Sequence, residues 1–223
     1  MKKIVYVGEL GMGGELPIRI QSMTNTPTEN IEATSRQINE LSDAGADLVR
    51  VSVYDQDCVK AVRSLVDNSS VPLVADIHFD YRLAIGAMEQ GIHKLRINPG
   101  NIGDELKVKE MADCAKRHGI SIRIGVNTGS LPKDILDEFG GPTAEAMVQS
   151  AQRHIRLLEQ ANFDDIVLSL KASDVRLTVD AYRLADRRFD YPLHVGVTEA
   201  GLPGQGTIKS AIGIGSLLLD GIG

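Results

Sequence analysis

The sequence predicts an α/β fold in which parallel strands curl into a TIM barrel, (β/α)₈. Two observations predict it. Segments typical of strands and of helices alternate seven times, and repeated βα units form parallel sheets with right-handed crossovers. The strand segments also carry polar residues at alternate positions, so they are apolar on one face only. A doubly wound open sheet has strands that are apolar on both faces, whereas a barrel strand turns one face towards the axis.

The strands are expected at residues 18–23, 48–53, 73–77, 95–98, 121–127, 166–171 and 193–198. Apolar residues recur at helical spacing between them, and Gly45, Gly91 and Gly119 stand where helix C-caps are expected. A last helical pattern covers residues 209–219, with no strand pattern after it. Either residues 4–7 supply the eighth strand, or the barrel is truncated before it. We favour truncation, with residues 1–223 forming one barrel domain.

Composition narrows the class of protein. Hydrophobic residues make up 43% of the 223 residues, and aromatic residues only 4%, so the core is expected to be aliphatic. The net charge of −6 argues against a general nucleic-acid surface. No segment approaches the roughly 18–20 apolar residues that span a bilayer, and we expect a cytoplasmic protein. Cys58 and Cys114 are far apart, which argues against a disulfide framework or a local metal site.

The polar face of the predicted strands is the strongest indication of function. Its members are Arg50, Ser52, Asp76, His78, Arg96, Asn98, Arg123, Asn127, Ser169 and Lys171. Burying so many charged groups without partners is costly, so this face is expected to line a cavity for a charged ligand. Guanidinium groups bind phosphate oxygens bidentately, and three arginines with one lysine suit a diphosphate.

The carboxyl ends of barrel strands are where active sites form. Thr198 and Glu199 end the seventh predicted strand, and Glu199 is either a general acid or base or an ion-pair partner of Lys171. His78 could bind ligand, move a proton or orient a neighbour. Residues 98–103 resemble an anion-binding loop before a helix, although Gly-Asn-Pro clusters usually mark only a turn.

Long motifs along almost the whole chain resemble one family. They are IQSMTNT (20–26), ADLVRVSV (46–53), PLVADIHFDYR (72–82), LRINPGNIG (95–103), IRIGVN (122–127), LKASD (170–174) and VTEAG (197–201). The family is that of the 4-hydroxy-3-methylbut-2-enyl diphosphate synthases of the non-mevalonate isoprenoid pathway.

The resemblance implies a barrel followed by an iron–sulfur domain. It implies reductive opening of 2-C-methyl-D-erythritol 2,4-cyclodiphosphate with loss of water, and two electrons that arrive through a [4Fe–4S] cluster from flavodoxin or ferredoxin. Three Cys and one Glu of the C-terminal domain hold the family's cluster. We therefore expect this chain to hold no metal and to be the substrate-binding half. The family is homodimeric, and the cluster domain of one subunit closes over its partner's barrel.

The resemblance also implies residue roles. Arg50, Arg96, Arg123 and Lys171 would hold the diphosphate, assisted by Asn127 and Ser169, with Asp76 and His78 beside it and Glu199 as the acid or base. Two other interpretations stay open. One is a transferase of the dihydropteroate synthase type, whose barrel also gathers Asp, Asn, Lys and Arg at its strand ends. The other is a diphosphate-binding domain without chemistry.

Overall fold

Strands and helices alternate in the computed structural model, which describes residues 2–78, 80–98 and 105–223. The strands are β1 (Val5–Val7), β2 (Leu10–Met12), β3 (Gln21–Met23), β4 (Leu48–Ser52), β5 (Leu73–Ile77), β6 (Lys94–Ile97), β7 (Ser121–Asn127) and β8 (Ile166–Lys171). The helices are α1 (Ile31–Asp43), α2 (Gln56–Asp67), α3 (Tyr81–Glu89), α4 (Glu105–His118), α5 (Lys133–Phe139), α6 (Ala144–Gln160), α7 (Val175–Arg188) and α8 (Gln205–Leu219). No helix in the described ranges is long and apolar enough to cross a bilayer.

One parallel sheet runs from β3 to β8, and each strand pairs with the next strand in the sequence. The register aligns the predicted polar positions: Asp76 pairs with Arg96, and Arg96 with Arg123. Paired residues on neighbouring strands point to the same face. The polar side chains therefore share one face of the sheet, as the period of two predicted.

The other face of the sheet packs against the helices. Strand residues such as Val49, Ile77 and Leu95 form one core cluster with helix residues such as Leu65 and Met88. The first turns of α1, α2, α3, α6 and α7 are held by side-chain caps, because the side chain before each of these helices accepts a hydrogen bond from a backbone N–H. These caps are Asn30, Asp55, Asp80, Thr143 and Asp174.

The β1–β2 hairpin lies against the inner face. It is antiparallel and separate from the main sheet. Val7 is buried on Leu48 and Val74, and Leu10 and Met12 pack on the same cluster. Residues 5–7 therefore contribute no strand to the sheet; the hairpin supplies an apolar plug for its interior instead.

The seventh predicted strand, residues 193–198, is only partly formed. Its position beside β8 is as predicted, with a parallel bridge between Leu168 and Leu193. Backbone hydrogen bonds from His194 N to Leu168 O and from Thr198 N to Ala172 O fix it at either end. Between these two bonds the Tyr182 hydroxyl interrupts the ladder, because it accepts a hydrogen bond from Leu170 N and donates one to His194 O.

The two ends of the sheet face each other across a seam. A cavity of about 480 Å³ is lined by Gln21 and Leu48 on one side and by Val167 and His194 on the other, with Leu218 of α8 outside. The sheet is thus curled, and the α/β barrel prediction is confirmed. Within the described ranges, no strand pairing joins β3 to residues 193–198.

Candidate anion-binding site

Four cationic side chains from four strands converge on the inner face of the sheet. They are Arg50 of β4, Arg96 of β6, Arg123 of β7 and Lys171 of β8. Arg96 and Arg123 are buried, with exposed fractions of 8% and 1%. The cations also repel one another: after burial, the charges of Arg50 and Arg96 are the next causes that lower the pKa of Arg123.

One buried carboxylate serves this cluster. Asp76 of β5 accepts a hydrogen bond through Oδ1 from Arg96 Nη1 at 2.9 Å. Its Oδ2 lies 3.7 Å from Arg50 Nε and 3.9 Å from His78 Nε2. Arg50 also directs Nε and Nη2 at the Met23 sulfur, 3.0 and 2.7 Å away. Asp76 therefore balances only part of the positive charge.

Several N–H groups of the buried arginines have no hydrogen-bond partner among the described residues. Arg123 Nε and Nη1 and Arg96 Nε are buried and have no hydrogen-bond partner in the described part of the chain. Burial, reinforced by the neighbouring arginines, lowers the pKa of Arg123 to about 9. Burial, followed by the charges of Arg123, Arg50 and Arg96, lowers the pKa of Lys171 to about 7. Such a cluster favours an anionic ligand with several acceptor oxygens.

Four other predicted site residues lie on strands β7 and β8 or directly after β5 and β6. Ser169 is buried, with its hydroxyl 3.5 Å from the Ile124 carbonyl oxygen, and Asn127 pairs in register with Lys171. Asn98 is buried and follows β6, while His78 is exposed at the end of β5. The predicted anion-binding loop begins at Asn98, but its residues 99–103 lie outside the described residues.

Glu199 stands at the mouth of the barrel. Its backbone is left-handed, with φ of 49°, a conformation that non-glycine residues seldom adopt outside special sites. Its side chain is exposed, and among the described ion pairs none joins it to Lys171. Of the two predicted roles, the ion pair with Lys171 is not formed. Thr198, directly before it, is half-buried.

Sequence reasoning missed two inner residues. Lys94 lies two positions before Arg96 and is fully buried, with Nζ 3.3 Å from the Met12 sulfur. Burial, then the charge of Arg123, lowers the pKa of Lys94 well below its usual range. Burial also lowers the pKa of His194, with Arg123 and Lys171 adding to the effect. Extending the period of two by one step before the strand predicted at 95–98 would have found Lys94, and following it back from Thr198 within the strand predicted at 193–198 would have found His194.

The described residues do not fit an iron–sulfur cluster. Cys58 and Cys114 are buried free thiols on α2 and α4. Across residues 2–78, 80–98 and 105–223, no group of three His, Cys, Asp or Glu side chains could hold a metal ion.

Comparison with known proteins identifies the family. The family model of the GcpE TIM-barrel domain matches residues 2–223. The chain belongs to the GcpE family. This confirms the family resemblance of the motifs described above.

The GcpE relatives share one name, 4-hydroxy-3-methylbut-2-en-1-yl diphosphate synthase (flavodoxin). The protein of Clostridium perfringens is 52% identical over 98% of this chain and 63% of its own length. The protein of Lawsonia intracellularis is 54% identical over 98% of this chain and 61% of its own length. The protein of Geobacillus kaustophilus is 55% identical over 98% of this chain and 59% of its own length. The chain thus spans about three fifths of the length of these relatives.

Solved structures of similar fold support the architecture of this GcpE domain. Dihydropteroate synthase from Xanthomonas albilineans, in complex with 7,8-dihydropteroate, superposes with a TM-score of 0.64 at 13% identity, over 98% of this chain and 97% of that one. The 3-dehydroquinate dehydratase from Geobacillus kaustophilus superposes with a TM-score of 0.66 at 14% identity, over 92% of this chain and 81% of that one. At these identities the likeness concerns the fold alone.

Proposed function

We propose that this chain is the substrate-binding barrel of a 4-hydroxy-3-methylbut-2-enyl diphosphate synthase that acts on 2-C-methyl-D-erythritol 2,4-cyclodiphosphate. The observation that carries the proposal is the cluster of four cations around one carboxylate, in a chain of the GcpE family. The reaction takes up two electrons and two protons, opens the ring and releases one water. Its substrate carries two phosphates, whose oxygens match the unpartnered N–H groups of Arg96 and Arg123.

The cations would hold the diphosphate. Arg50, Arg96, Arg123 and Lys171 would donate charge-assisted hydrogen bonds to its oxygens, and the bound anion would offset their mutual repulsion. Asp76 would keep Arg96 and Arg50 oriented, because both guanidinium groups face its carboxylate. The neutral side chains at the strand ends would add hydrogen bonds to the ligand: Asn98, Asn127, Ser169 and Thr198. His78 would contact the ligand from the edge of the mouth.

Glu199 would move the proton. A carboxylic acid at the mouth, outside the cation cluster, could protonate the hydroxyl that leaves as water. Its left-handed backbone is consistent with a conformation kept for function, since such conformations cluster at active sites.

The electrons would come from outside the residues described. The family resemblance implies a [4Fe–4S] cluster, which supplies one-electron transfer when bound, with flavodoxin or ferredoxin as the donor and a cytoplasmic homodimer as the assembly. No cysteine set in the described residues fits such a cluster. The longer relatives, named as flavodoxin-dependent, support a separate redox domain.

Calorimetry with the cyclodiphosphate tests the proposal. The 223-residue chain should bind it, and Arg96→Met should weaken binding about tenfold to a hundredfold, since a charge-assisted hydrogen bond contributes about 1.5–3 kcal/mol. The exposed Arg156→Met is the control and should leave the affinity unchanged. Binding of a dihydropterin diphosphate in preference to the cyclodiphosphate would instead support the transferase interpretation.

A further inference from the structure

Two of the four cations cross from their own strand to the next one and end above a glycine. A Cβ atom on Gly125 of β7 would lie 2.8 Å from Arg96 Nε and 3.0 Å from its Nη2. A Cβ atom on Gly196 would lie 2.9 Å from Lys171 Nζ and 3.1 Å from its Cε. Real Cβ atoms essentially never approach another atom as closely as 2.9 Å. We propose that Gly125 and Gly196 are positioning residues of the diphosphate site, which make room for these two cations.

The backbone gives no other reason for glycine at these positions. Neither residue has a positive φ, unlike Gly45 or Gly201. Gly125 lies inside β7, paired in register with Ser169. Glycine inside a strand weakens it, and often marks a place where another group approaches closely. Here the group that approaches is the end of a cationic side chain.

The space above Gly125 decides where the Arg96 guanidinium can lie. From β6 it reaches back to Asp76 of β5 through Nη1, at 2.9 Å, while Nε and Nη2 lie over β7. Its Nε is buried against β7 and has no hydrogen-bond partner in the described part of the chain. A methyl group on Gly125 would meet the far end of a flexible side chain, so the guanidinium would move before the strand does.

The space above Gly196 decides where the Lys171 ammonium group can lie. The lysine extends from β8 over the neighbouring segment 193–198, and Gly196 itself is buried. The lowered pKa of Lys171 agrees with an ammonium group held against the interior. A methyl group on Gly196 would displace Nζ from the position in which it faces the other cations.

The inference rests on the proposed function for its ligand, and a double-mutant cycle tests it. Gly125→Ala should weaken cyclodiphosphate binding about tenfold, the loss of roughly one charge-assisted hydrogen bond. In an Arg96→Ala background, Gly125→Ala should weaken it no further, because no guanidinium is left to displace. Gly196→Ala should likewise weaken binding in the wild-type background and have no further effect in a Lys171→Ala background.

Two glycines outside the site provide matched controls. A Cβ atom on Gly86 of α3 would lie 2.8 Å from Val59 Cγ1, an equally close contact without a cation, and one on Gly215 would meet nothing within 4 Å. Neither alanine variant should change the affinity. Equal losses with and without the Arg96 side chain, or a loss in Gly86→Ala as large as in Gly125→Ala, would overturn the inference.

The stability of the same variants separates this inference from the proposed function. If the wild-type chain binds no cyclodiphosphate, the proposed function fails, but urea unfolding still tests the glycines. Gly125→Ala should lower the free energy of unfolding in the wild-type background and not in the Arg96→Ala background. An identical loss in both backgrounds would show that Gly125 acts on the strand and not through Arg96.

Discussion

Arg123 illustrates, at the scale of one residue, how a binding site costs stability. Its side chain is almost completely inaccessible, two of its guanidinium nitrogens lack partners among the described residues, and its neighbours include Arg50 and Arg96. Removing a charge from water without compensation is unfavourable. The folded chain therefore keeps Arg123 at an energetic cost, which the proposed role of Arg123 in holding an anion would explain.

Arg123→Met should accordingly make the unliganded chain more stable. We expect the free energy of unfolding in urea to rise by about 1–4 kcal/mol, the range seen when buried ionic groups give way to apolar residues. Cyclodiphosphate affinity should fall at least tenfold, with the loss of a charge-assisted hydrogen bond. Arg156→Met, on the exposed face of α6, should change neither quantity. A less stable Arg123→Met chain would mean that Arg123 is a structural residue.

Glu199 allows the second prediction at this scale. In a version of the protein that carries the iron–sulfur domain, Glu199→Gln should retain substrate affinity and lose turnover by about 10²–10⁴-fold, because the amide cannot donate the proton. Calorimetry and a steady-state assay with reduced flavodoxin measure the two effects. If affinity collapsed instead while the bound substrate still turned over normally, Glu199 would be a binding residue.

At the scale of secondary-structure elements, Tyr182 joins the last two segments of the sheet. Its hydroxyl accepts a hydrogen bond from Leu170 N at 3.1 Å and donates one to His194 O at 2.5 Å. Tyr182 is fully buried on α7. The segment 193–198, which has few ladder hydrogen bonds of its own, is thus tied to β8 through a helix residue.

Tyr182→Phe should therefore weaken the fold at this edge. The substitution leaves two buried backbone groups unsatisfied, and each costs about 1–3 kcal/mol of unfolding free energy. Tyr191→Phe is the matched control, since Tyr191 donates only to Glu159 at the surface, and its effect should stay within about 0.5 kcal/mol. Urea unfolding of both variants measures the difference, and equal small effects would contradict the anchoring role.

The elements also show what the sequence could predict. Alternation within each strand predicted that Arg50, Arg96 and Arg123 share one face of the sheet, because the side-chain period of every strand is two. The strand at 193–198 was predicted, but its incomplete ladder was not, because the interruption comes from Tyr182, a helix residue that the strand pattern does not contain. Gly125 escaped because its role depends on Arg96, a residue of another strand that the register brings above it.

At the scale of the whole molecule, Lys171 makes stability depend on pH. The fold lowers its pKa from 10.5 to about 7. Above pH 7 the unfolded chain retains a proton that the folded chain releases, so the free energy of unfolding rises with pH; below pH 7 both states are protonated and this contribution is flat. Unfolding measured in urea should thus show increasing stability from pH 7 to about 8, which is below the usual pKa values of thiols and tyrosines.

Lys171→Met should make this slope shallower by the contribution of one proton and leave the contribution of the buried Lys94, whose pKa the fold also lowers. Lys209→Met, an exposed lysine on α8, should retain the full slope. The two variants and the wild type, compared over the same pH range, isolate the contribution of Lys171. A slope as steep in Lys171→Met as in the wild type would assign the pH dependence to another group.

The reach of the cations across strands has a mechanical consequence. Arg50 touches the β3 sulfur of Met23 and faces Asp76 of β5, Arg96 spans from β5 to β7, and Lys171 leans over residues 193–198. A single dianion hydrogen-bonded to these groups would link strands on both sides of the seam. It would therefore stabilise the curled form of the sheet. We expect its binding to slow amide hydrogen exchange at 193–198. The anion would then act as a brace that preserves the curvature of the barrel.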